Sequence, residues 1–175
     1  MMSAESASRW RNTNPKPTVD ELREIGLFGA LCDEVLEHLT KTLETRWVPP
    51  GETLFRESDA AHDMFVVLEG EIEVLKHSHL GHDHRIALLG PHDSCGEMSL
   101  IDVQPRSATA RSLAPSRLLR LTSEDFDRLY RYDLKSYALV TLNIARDLSR
   151  RLRVADGILA DFTAHVLDQR VKPRF

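Results

Sequence analysis

The chain has 175 residues, of which 42% are hydrophobic and 29% charged, and its formal net charge is −4. This composition predicts one globular domain with a single substantial core, and the acidic balance disfavours a nucleic-acid-binding surface. No apolar run reaches membrane-spanning length, the first residues lack the pattern of a secretion signal, and the two cysteines do not indicate a disulfide framework. We therefore expect a cytoplasmic protein that binds neither DNA nor a membrane.

The N-terminal segment, residues 1–17, is polar and has no hydrophobic periodicity, which predicts a disordered arm. An arm that docks through Trp10 is the alternative. A helical pattern begins at Thr18, which has Glu21 three residues later in the spacing of a capping box. A second amphipathic helix is predicted over residues 33–42.

Between Trp47 and Leu121 the hydrophobic period changes to two residues, which is typical of strands. The runs Pro-Pro-Gly-Glu and Glu-Gly-Glu mark turns between them. Many short strands at close spacing predict a β-sandwich or a small barrel. The candidate strands are residues 46–48, 53–56, 63–68, 72–76, 85–89, 107–113 and 117–121.

Histidines crowd the predicted hairpin around Gly81: His77, His79, His82 and His84. Alternating histidines on one strand share a face, so the run His-Ser-His could direct two imidazoles at one metal ion. The other interpretation is a solvated hairpin tip whose composition is unconstrained. Since no fixed metalloprotein spacing is matched, we assign no metal ligands here.

The stretch Cys-Gly-Glu-Met-Ser-Leu-Ile-Asp-Val-Gln-Pro-Arg-Ser-Ala-Thr-Ala, residues 95–110, predicts a loop, one short helical turn and then a strand. Gly96 allows close backbone approach to a ligand, and the N–H groups that begin the short helix favour an anion. Arg106 offers a planar charged fork suited to phosphate, with the Ser107 hydroxyl beside it. Glu97 fits if it faces away from the phosphate and accepts hydrogen bonds from sugar hydroxyls. The stretch predicts a ligand with one phosphate and a free ribose hydroxyl.

The run from Gly96 to Leu100, followed by Arg106, Ser107 and Ala108, resembles the phosphate-binding cassette of cyclic nucleotide-binding domains. The resemblance implies that Glu97 binds the ribose 2′-hydroxyl and Arg106 binds the cyclic phosphate, with backbone amides around the glycine completing the cradle. It implies an α+β fold: a β-jelly-roll barrel flanked by N-terminal helices and a long C-terminal helix.

The resemblance also implies the remaining site residues and shows three departures from the family. Ser58 and His92 stand where glycine is commoner, so a mildly strained backbone is expected at both. Cys95 replaces the usual aromatic residue, and a buried, inert thiol is expected there. The implied ligand-binding residues are Gly96, Glu97, Met98, Ser99, Arg106, Ser107, Ala108, Ile86, Ala87, Cys95, Arg151 and Asp156.

A helical pattern returns after the last strand, with Ser123 as the predicted cap of a short helix. A long helix is then predicted over residues 134–166, so that the domain covers 18–166 and a polar tail covers 167–175. Apolar residues of this helix step 4-3-4-3, interrupted only at Thr141, which is a heptad seam. They include Leu134, Ala138, Ala145, Leu148, Leu152, Ala155, Leu159, Phe162 and Val166.

A heptad seam on so long a helix indicates a partner, and we expect a homodimer. A second stripe is expected to pack on the barrel, consisting of Val140, Ile144, Val154 and Ile158. The alternative is that both stripes belong to the core of a single chain.

The expected function is that of a stand-alone cyclic nucleotide sensor without catalysis, which signals to an unidentified downstream protein by moving its C-terminal helix. The residues after Arg153 still have a helical pattern, so no DNA-recognition helix is predicted. One alternative is a nucleotide-free dimeric scaffold with a vestigial pocket. Another is a phosphodiesterase, for which only the hairpin histidines offer catalytic groups.

Cyclic AMP is favoured over cyclic GMP as the ligand. A threonine after the cassette arginine accompanies cyclic GMP preference in the family, and here that residue is Ser107. Similarity to bacterial members around Arg151 implies that Ala155 and Asp156 face the base. Asp156 offers only acceptors, which suit the adenine amine and also the guanine N–H groups. A site in which Asp156 points to solvent and no residue reads the base is the alternative.

Overall fold

The structure, a computed structural model, describes residues 14–171, with side chains described up to Val166. The helices are α1 (Val19–Glu24), α2 (Asp33–Thr42), α3 (Glu97–Asp102), α4 (Ser123–Tyr132) and α5 (Leu134–Val171), and a 3-10 turn covers Gly26–Phe28. The strands are β1 (Glu44–Val48), β2 (Thr53–Phe55), β3 (Asp63–Glu69), β4 (Ile72–His77), β5 (Asp83–Leu89), β6 (Ser94–Cys95), β7 (Thr109–Ser112) and β8 (Ser116–Thr122).

The strands form two four-stranded antiparallel sheets, in the orders β1-β8-β3-β6 and β2-β7-β4-β5. The sheets enclose a jelly-roll barrel, with α1 and α2 on one side and α5 as the long C-terminal helix. The predicted fold class is therefore confirmed. Within residues 14–171, no helix is both long and apolar enough to cross a membrane.

Two hydrophobic clusters hold these layers together. The first lies between the sheets and includes Phe65, Val67 and Leu118. The second joins the outer face of the first sheet to the helices and includes Met64 and Val66 from the same strand, β3. Successive residues of a strand point to opposite faces, so β3 is buried on both faces. This explains why its sequence is a continuous apolar run rather than an alternating one.

The helix cap and several turns have the conformations that the sequence predicts. Thr18 and Glu21 form the predicted capping box at the start of α1. Gly70 has a φ of 92°, and a Cβ there would overlap Ser116, so the turn after β3 requires glycine. Ser58 and His92 have φ values of 72° and 74°, which confirms the strained backbone expected at these two positions.

Several predicted boundaries are wrong for local reasons. Helix α4 is capped by Thr122 rather than Ser123, because the Thr122 side chain accepts a hydrogen bond from the backbone N–H of Asp125. Strand β7 begins only at Thr109, since the two residues before it belong to the turn that carries the cassette arginine. Helix α5 extends beyond its predicted end at residue 166 and continues through Gly157 to Val171. It therefore ends two residues before Pro173, and the residue that precedes a proline disfavours the helical conformation.

The predicted arm is described only from Asn14 onward, and the rest of it, residues 1–13, lies outside the described residues. Pro15 and Lys16 contact the barrel. The Pro15 carbonyl accepts a hydrogen bond from the Thr45 hydroxyl, and Lys16 Nζ donates to the Leu43 carbonyl over 2.9 Å. The last residues of the segment are thus fixed to the start of β1.

Candidate functional site

The predicted cassette is built around Gly96, which joins β6 to α3. Gly96 has a φ of 86° and a ψ of 0°, the left-handed conformation that glycine adopts without strain. A Cβ on this residue would overlap the Nη1 atom of Arg106 and lie 3.2 Å from the Asp63 carbonyl oxygen. Both the backbone conformation and the space for the arginine therefore require glycine here.

Arg106 is buried directly behind this glycine, with 3% of its side chain exposed. Its Nη1 donates to the carbonyl oxygens of Asp63 and Gly96, over 2.6 and 3.0 Å, and its Nη2 pairs with the Asp63 carboxylate. The guanidinium carbon lies 4.0 Å from the centre of the Phe55 ring, a cation–π contact. Nε has no hydrogen-bond partner among the described residues, so one donor of this buried group is still available.

Asp63 is a partner that the sequence did not reveal. Besides Arg106 it binds Arg120, whose Nε donates to the second carboxylate oxygen over 2.6 Å. Asp63 is only 14% exposed, so this carboxylate is held between two guanidinium groups. It stands at the start of β3, directly before five apolar residues, and this is the sequence signal that could have drawn attention to it.

Glu97, the first residue of α3, is also buried, at 4% exposure. Its Oε1 lies 3.3 Å from Nη1 of Arg151, and its Oε2 has no hydrogen-bond partner among the described residues. Burial raises the pKa of the Glu97 carboxyl above its usual range, although the nearby Arg151 charge opposes this shift. A buried oxygen without a donor calls for a further partner, such as a ligand hydroxyl.

Arg151 connects α5 to the cassette. Its Nη2 donates to the Ser94 carbonyl and to the Asp147 carboxylate, each over 2.8 Å. Arg150 pairs with the other carboxylate oxygen of Asp147, 3.1 Å away. Of the neighbouring arginines on this helix, the structure brings the predicted one, Arg151, to Glu97.

The geometry agrees with the comparison with known proteins. Residues 45–133, just over half of the chain, match the family model of the cyclic nucleotide-binding domain. This chain belongs to that family.

Relatives of the domain include bacterial regulators. The chain is 37% identical to the Cyclic AMP receptor protein of Thermus thermophilus over 131 residues, which is 74% of this chain and 58% of the relative. The crystal structure of the Thermus thermophilus Catabolite Activator Protein superimposes with a TM-score of 0.69 at 33% identity, covering 79% of this chain and 63% of that one.

A cyclic nucleotide-binding domain from Methylobacillus flagellatus is similar over most of both chains. It superimposes with a TM-score of 0.78 at 26% identity and covers 86% of this chain and 87% of that one. By contrast, this chain spans about three fifths of the curated bacterial regulators that it matches, at 58% and 61% of their lengths.

Some of the other predicted ligand-binding residues of this cyclic nucleotide-binding domain are buried, and others are exposed. Ser99 and Ala108 are buried beside the cassette, whereas Met98 and Ser107 are exposed, with the Ser107 hydroxyl 3.5 Å from the Met98 sulfur. Cys95 is buried between the sheets, and burial raises the pKa of its thiol to about 12. The expected un-ionised, inert thiol agrees with this environment.

Three predicted residues lie on or near β5 and α5, and they are not all brought to the cassette. Ala87 packs on the cluster between the sheets, but Ile86 is 60% exposed. Ile86 has no partner in the register of β4 with β5, which marks a bulge, and its role in ligand binding stays a prediction. Asp156 lies on the exposed outer part of α5, with no contact to the barrel among the contacts of the described residues.

The short helix α3 ends in an unusual conformation. Val103, its C-terminal cap, has a φ of 57° and is 78% exposed. A β-branched residue in the left-handed region is strained. The strain lies in the loop between Glu97 and Arg106, the two charged residues of the cassette.

The histidine hairpin is arranged differently from the prediction. Strand β4 ends at His77 and β5 begins at Asp83, so His79 lies in the turn and does not share a strand face with His77. His77 Nδ1 instead pairs with the Asp83 carboxylate over 2.8 Å. Among residues 14–171, no three histidine, cysteine, aspartate or glutamate side chains are arranged to hold a metal ion.

Proposed function

We propose that the cassette binds a cyclic nucleotide and that the chain acts as a sensor of that nucleotide. The observation that carries the proposal is a pair of buried polar atoms without partners among the described residues, Oε2 of Glu97 and Nε of Arg106. One is an acceptor and the other a donor, and they belong to residues on either side of Gly96. A ribose hydroxyl and a phosphate oxygen would satisfy them respectively.

In this proposal each residue has a distinct task. Glu97 accepts a hydrogen bond from the ribose 2′-hydroxyl, and Arg106 neutralises the cyclic phosphate. Gly96, Ser99 and Ala108 would bring backbone and small side chains close to the phosphate, while Met98 and Ser107 cover its exposed side. Asp63 keeps the Arg106 guanidinium oriented through two hydrogen bonds, one to its carbonyl and one to its carboxylate.

Cyclic AMP is the proposed ligand in preference to cyclic GMP. Support comes from the relative that is 37% identical, a Cyclic AMP receptor protein. Asp156 would accept a hydrogen bond from the adenine amine if α5 closes over the base. Since Asp156 also suits guanine, the two nucleotides have to be compared directly.

The proposed signal is a movement of α5, read by a downstream protein. Arg151 couples this helix to Oε1 of Glu97, so a ligand hydroxyl on the neighbouring Oε2 would act on the same carboxylate that contacts α5. The outer half of α5 presents a series of exposed apolar residues: Leu152, Val154, Ile158, Leu159 and Phe162. A second copy of the chain is the proposed partner of this surface.

Calorimetric titration of cyclic AMP and cyclic GMP into the whole chain tests the proposal. Loss of a buried charge partner costs about 2–5 kcal/mol, so Arg106→Ala should weaken binding by about thirtyfold or more. Arg131→Ala is the matched control, because Arg131 is 76% exposed on α4 and away from the cassette. Equal affinities of the two variants would reject the cassette as the site.

One observation favours the alternative of a nucleotide-free dimeric scaffold. Arg106 is almost completely buried and already pairs with Asp63, so its charge is neutralised without a ligand. A scaffold of this kind would dimerise normally and give no heat with either nucleotide at millimolar concentration. Heat of binding that disappears in Arg106→Ala would reject the scaffold.

A further inference from the structure

The loop that follows β2, residues 56–59, holds the backbone of the cassette arginine. The Ser58 N–H donates to the Arg106 carbonyl, and the Arg106 N–H donates to the Asp59 carbonyl, each over 2.9 Å. Ser58 makes its bond from a φ of 72°, in the left-handed region that is uncommon for a residue with a side chain. Both backbone polar groups of Arg106 are therefore bound by this one loop.

Phe55 is the last residue of β2, directly before this loop. Thr53 pairs with Arg111 of β7 and Phe55 pairs with Ala110, so the register of the two strands shifts by one residue, which marks a bulge. Adjacent residues of a regular strand point to opposite faces, but Leu54 and Phe55 both pack against the cluster between the sheets. The bulge thus allows the Phe55 side chain to enter the interior of the barrel.

Inside the barrel, the Phe55 ring contacts the side chain of the same arginine. The guanidinium carbon of Arg106 lies over this ring, 4.0 Å from its centre. Phe65 supports the ring from within the cluster, with 6.3 Å between the two ring centres. Because the Arg106 side chain is only 3% exposed, water competes little for the cation, and a cation–π contact is stronger in such a desolvated place.

The hydrogen bonds of Arg106 hold one end of its guanidinium and leave the other end free to tilt. Nη1 donates to the carbonyl oxygens of Asp63 and Gly96, and Nη2 pairs with the Asp63 carboxylate. Nε, at the opposite end, has no hydrogen-bond partner among the described residues. A planar group that is bound at one end can still rotate about that end, and an aromatic ring beneath it opposes this rotation.

We propose that Phe55 is a positioning residue of the phosphate site, whose ring holds the Arg106 guanidinium in the orientation that directs Nε–H to the ligand phosphate. The inference rests on the proposed nucleotide binding. A leucine at position 55 would fill much of the same space without offering a π face to the cation, whereas a tyrosine would keep that face. Because Phe55 acts through Arg106, the orientation of Nε–H and the affinity for nucleotide should change together.

Nuclear magnetic resonance of the Arg106 Nε–H group, without nucleotide, tests the orientation by itself. Its cross-peak is assigned as the one that is missing from Arg106→Lys. A proton over the face of an aromatic ring resonates upfield of its usual position, so we expect this cross-peak upfield of those of exposed arginines. Phe55→Leu should return it to the usual position, and Phe55→Tyr should keep it shifted. A cross-peak at the usual position in the parent chain overturns the proposal.

Calorimetric titration with cyclic AMP tests the effect on binding. Phe55→Leu should weaken binding by about tenfold, and Phe55→Met, another replacement without a ring, should do the same. Phe55→Tyr should retain most of the parent affinity. Ile72→Val is the matched control, because Ile72 belongs to the same cluster but pairs with Leu89 and Ser112, away from Arg106. If Ile72→Val weakens binding as much as Phe55→Leu does, the effect is one of core packing and the proposal is overturned.

The two measurements separate this inference from the proposed function. If the parent chain and Phe55→Leu bind cyclic AMP equally, the positioning role is overturned even where the cross-peak moves. If calorimetry detects no binding to the parent chain, the proposed function fails, while the position of the Nε–H cross-peak still decides whether Phe55 orients Arg106.

Discussion

The two halves of α5 both carry large apolar residues, but their surroundings differ. Between Leu134 and Arg151 the helix packs on the barrel, where Val140 and Ile144 are 0% and 2% exposed. Between residues 152 and 165 every residue is exposed, although Leu152 and Phe162 are as apolar as the buried ones. A 38-residue helix is about 57 Å long, which exceeds the barrel beneath it. Burial on this helix is thus set by where the barrel ends rather than by hydrophobicity.

The largest expected effect is at Ile144. Ile144→Ala should lower the free energy of unfolding by about 2–5 kcal/mol, because it leaves a cavity in the core beneath α5. The matched change Leu152→Ala, in the exposed half of the same helix, should lower the free energy of unfolding of the protomer by less than about 0.5 kcal/mol. Urea unfolding at low protein concentration measures both, and equal losses would show that the outer half packs on the same core.

The next effect concerns association. Leu152→Asp places a carboxylate in the proposed dimer seam and should raise the dimer dissociation constant by about a hundredfold, or roughly 3 kcal/mol. The stability of the separated protomer should not change. Sedimentation velocity across a concentration series measures the shift, and a parent chain that stays monomeric throughout would reject the seam.

A smaller effect is expected where the two halves meet, at the contact of Arg151 with Glu97. Burial raises the pKa of Glu97, so the folded chain binds this proton more tightly than the unfolded chain does. The stabilisation by Glu97 is fully present below roughly 4.3, the ordinary glutamate pKa, and is lost as the pH rises through the raised value. A glutamine does not ionise, so Glu97→Gln should not lose stability in this way as the pH rises.

Relative to the parent chain, Glu97→Gln should therefore gain stability as the pH rises above the ordinary glutamate pKa. Denaturant titrations over a series of pH values measure the difference. Glu52→Gln, at a partly exposed pair with Arg46 on the barrel surface, is the control. A difference that does not vary with pH would contradict the raised pKa.

The smallest expected effect is at Gly157, in the exposed half. No heavy atom lies within 4 Å of the position that a Cβ would take, so Gly157→Ala changes only the helix propensity. The gain should be about 0.5–1 kcal/mol of local helix stability. Slower amide hydrogen exchange over residues 158–165, with Ala160→Gly showing the reverse, would confirm that helix propensity contributes to the stability of this half.

The heptad pattern correctly predicted a long helix at α5, but it predicted only in part which residues of the helix pack on the barrel. The stripe expected on the barrel is correct at Val140 and Ile144 and wrong at Val154 and Ile158, which are 63% and 66% exposed. Periodicity gives the face of a helix on which residues lie, but it does not give the length of the surface underneath. For the same reason Leu148, assigned to the partner seam, packs against the chain's own core.

The residues of the cassette were easier to predict from the sequence than the residues that hold them in position. The motif placed Gly96, Glu97 and Arg106 together because their spacing is local, and Arg151 followed from resemblance. Asp63 could not be found this way, because the contact with Arg106 spans 43 positions and depends on how β3 aligns beside β6. The facing of Ile86 could not be predicted from alternation, because the register of β4 with β5 shifts at this residue, which marks a bulge.

The close approach of Arg106 to Gly96 also constrains the order in which substitutions at this site can occur in evolution. A side chain at position 96 collides with the Arg106 guanidinium, so the glycine is locked for as long as the arginine is present. Once Arg106 is shortened this collision disappears, and the remaining obstacles to substitution are the 3.2 Å approach to the Asp63 carbonyl oxygen and the backbone strain of the left-handed conformation. Descendants that lose the pocket are therefore expected to lose the arginine first and the glycine afterwards, which makes that loss difficult to reverse.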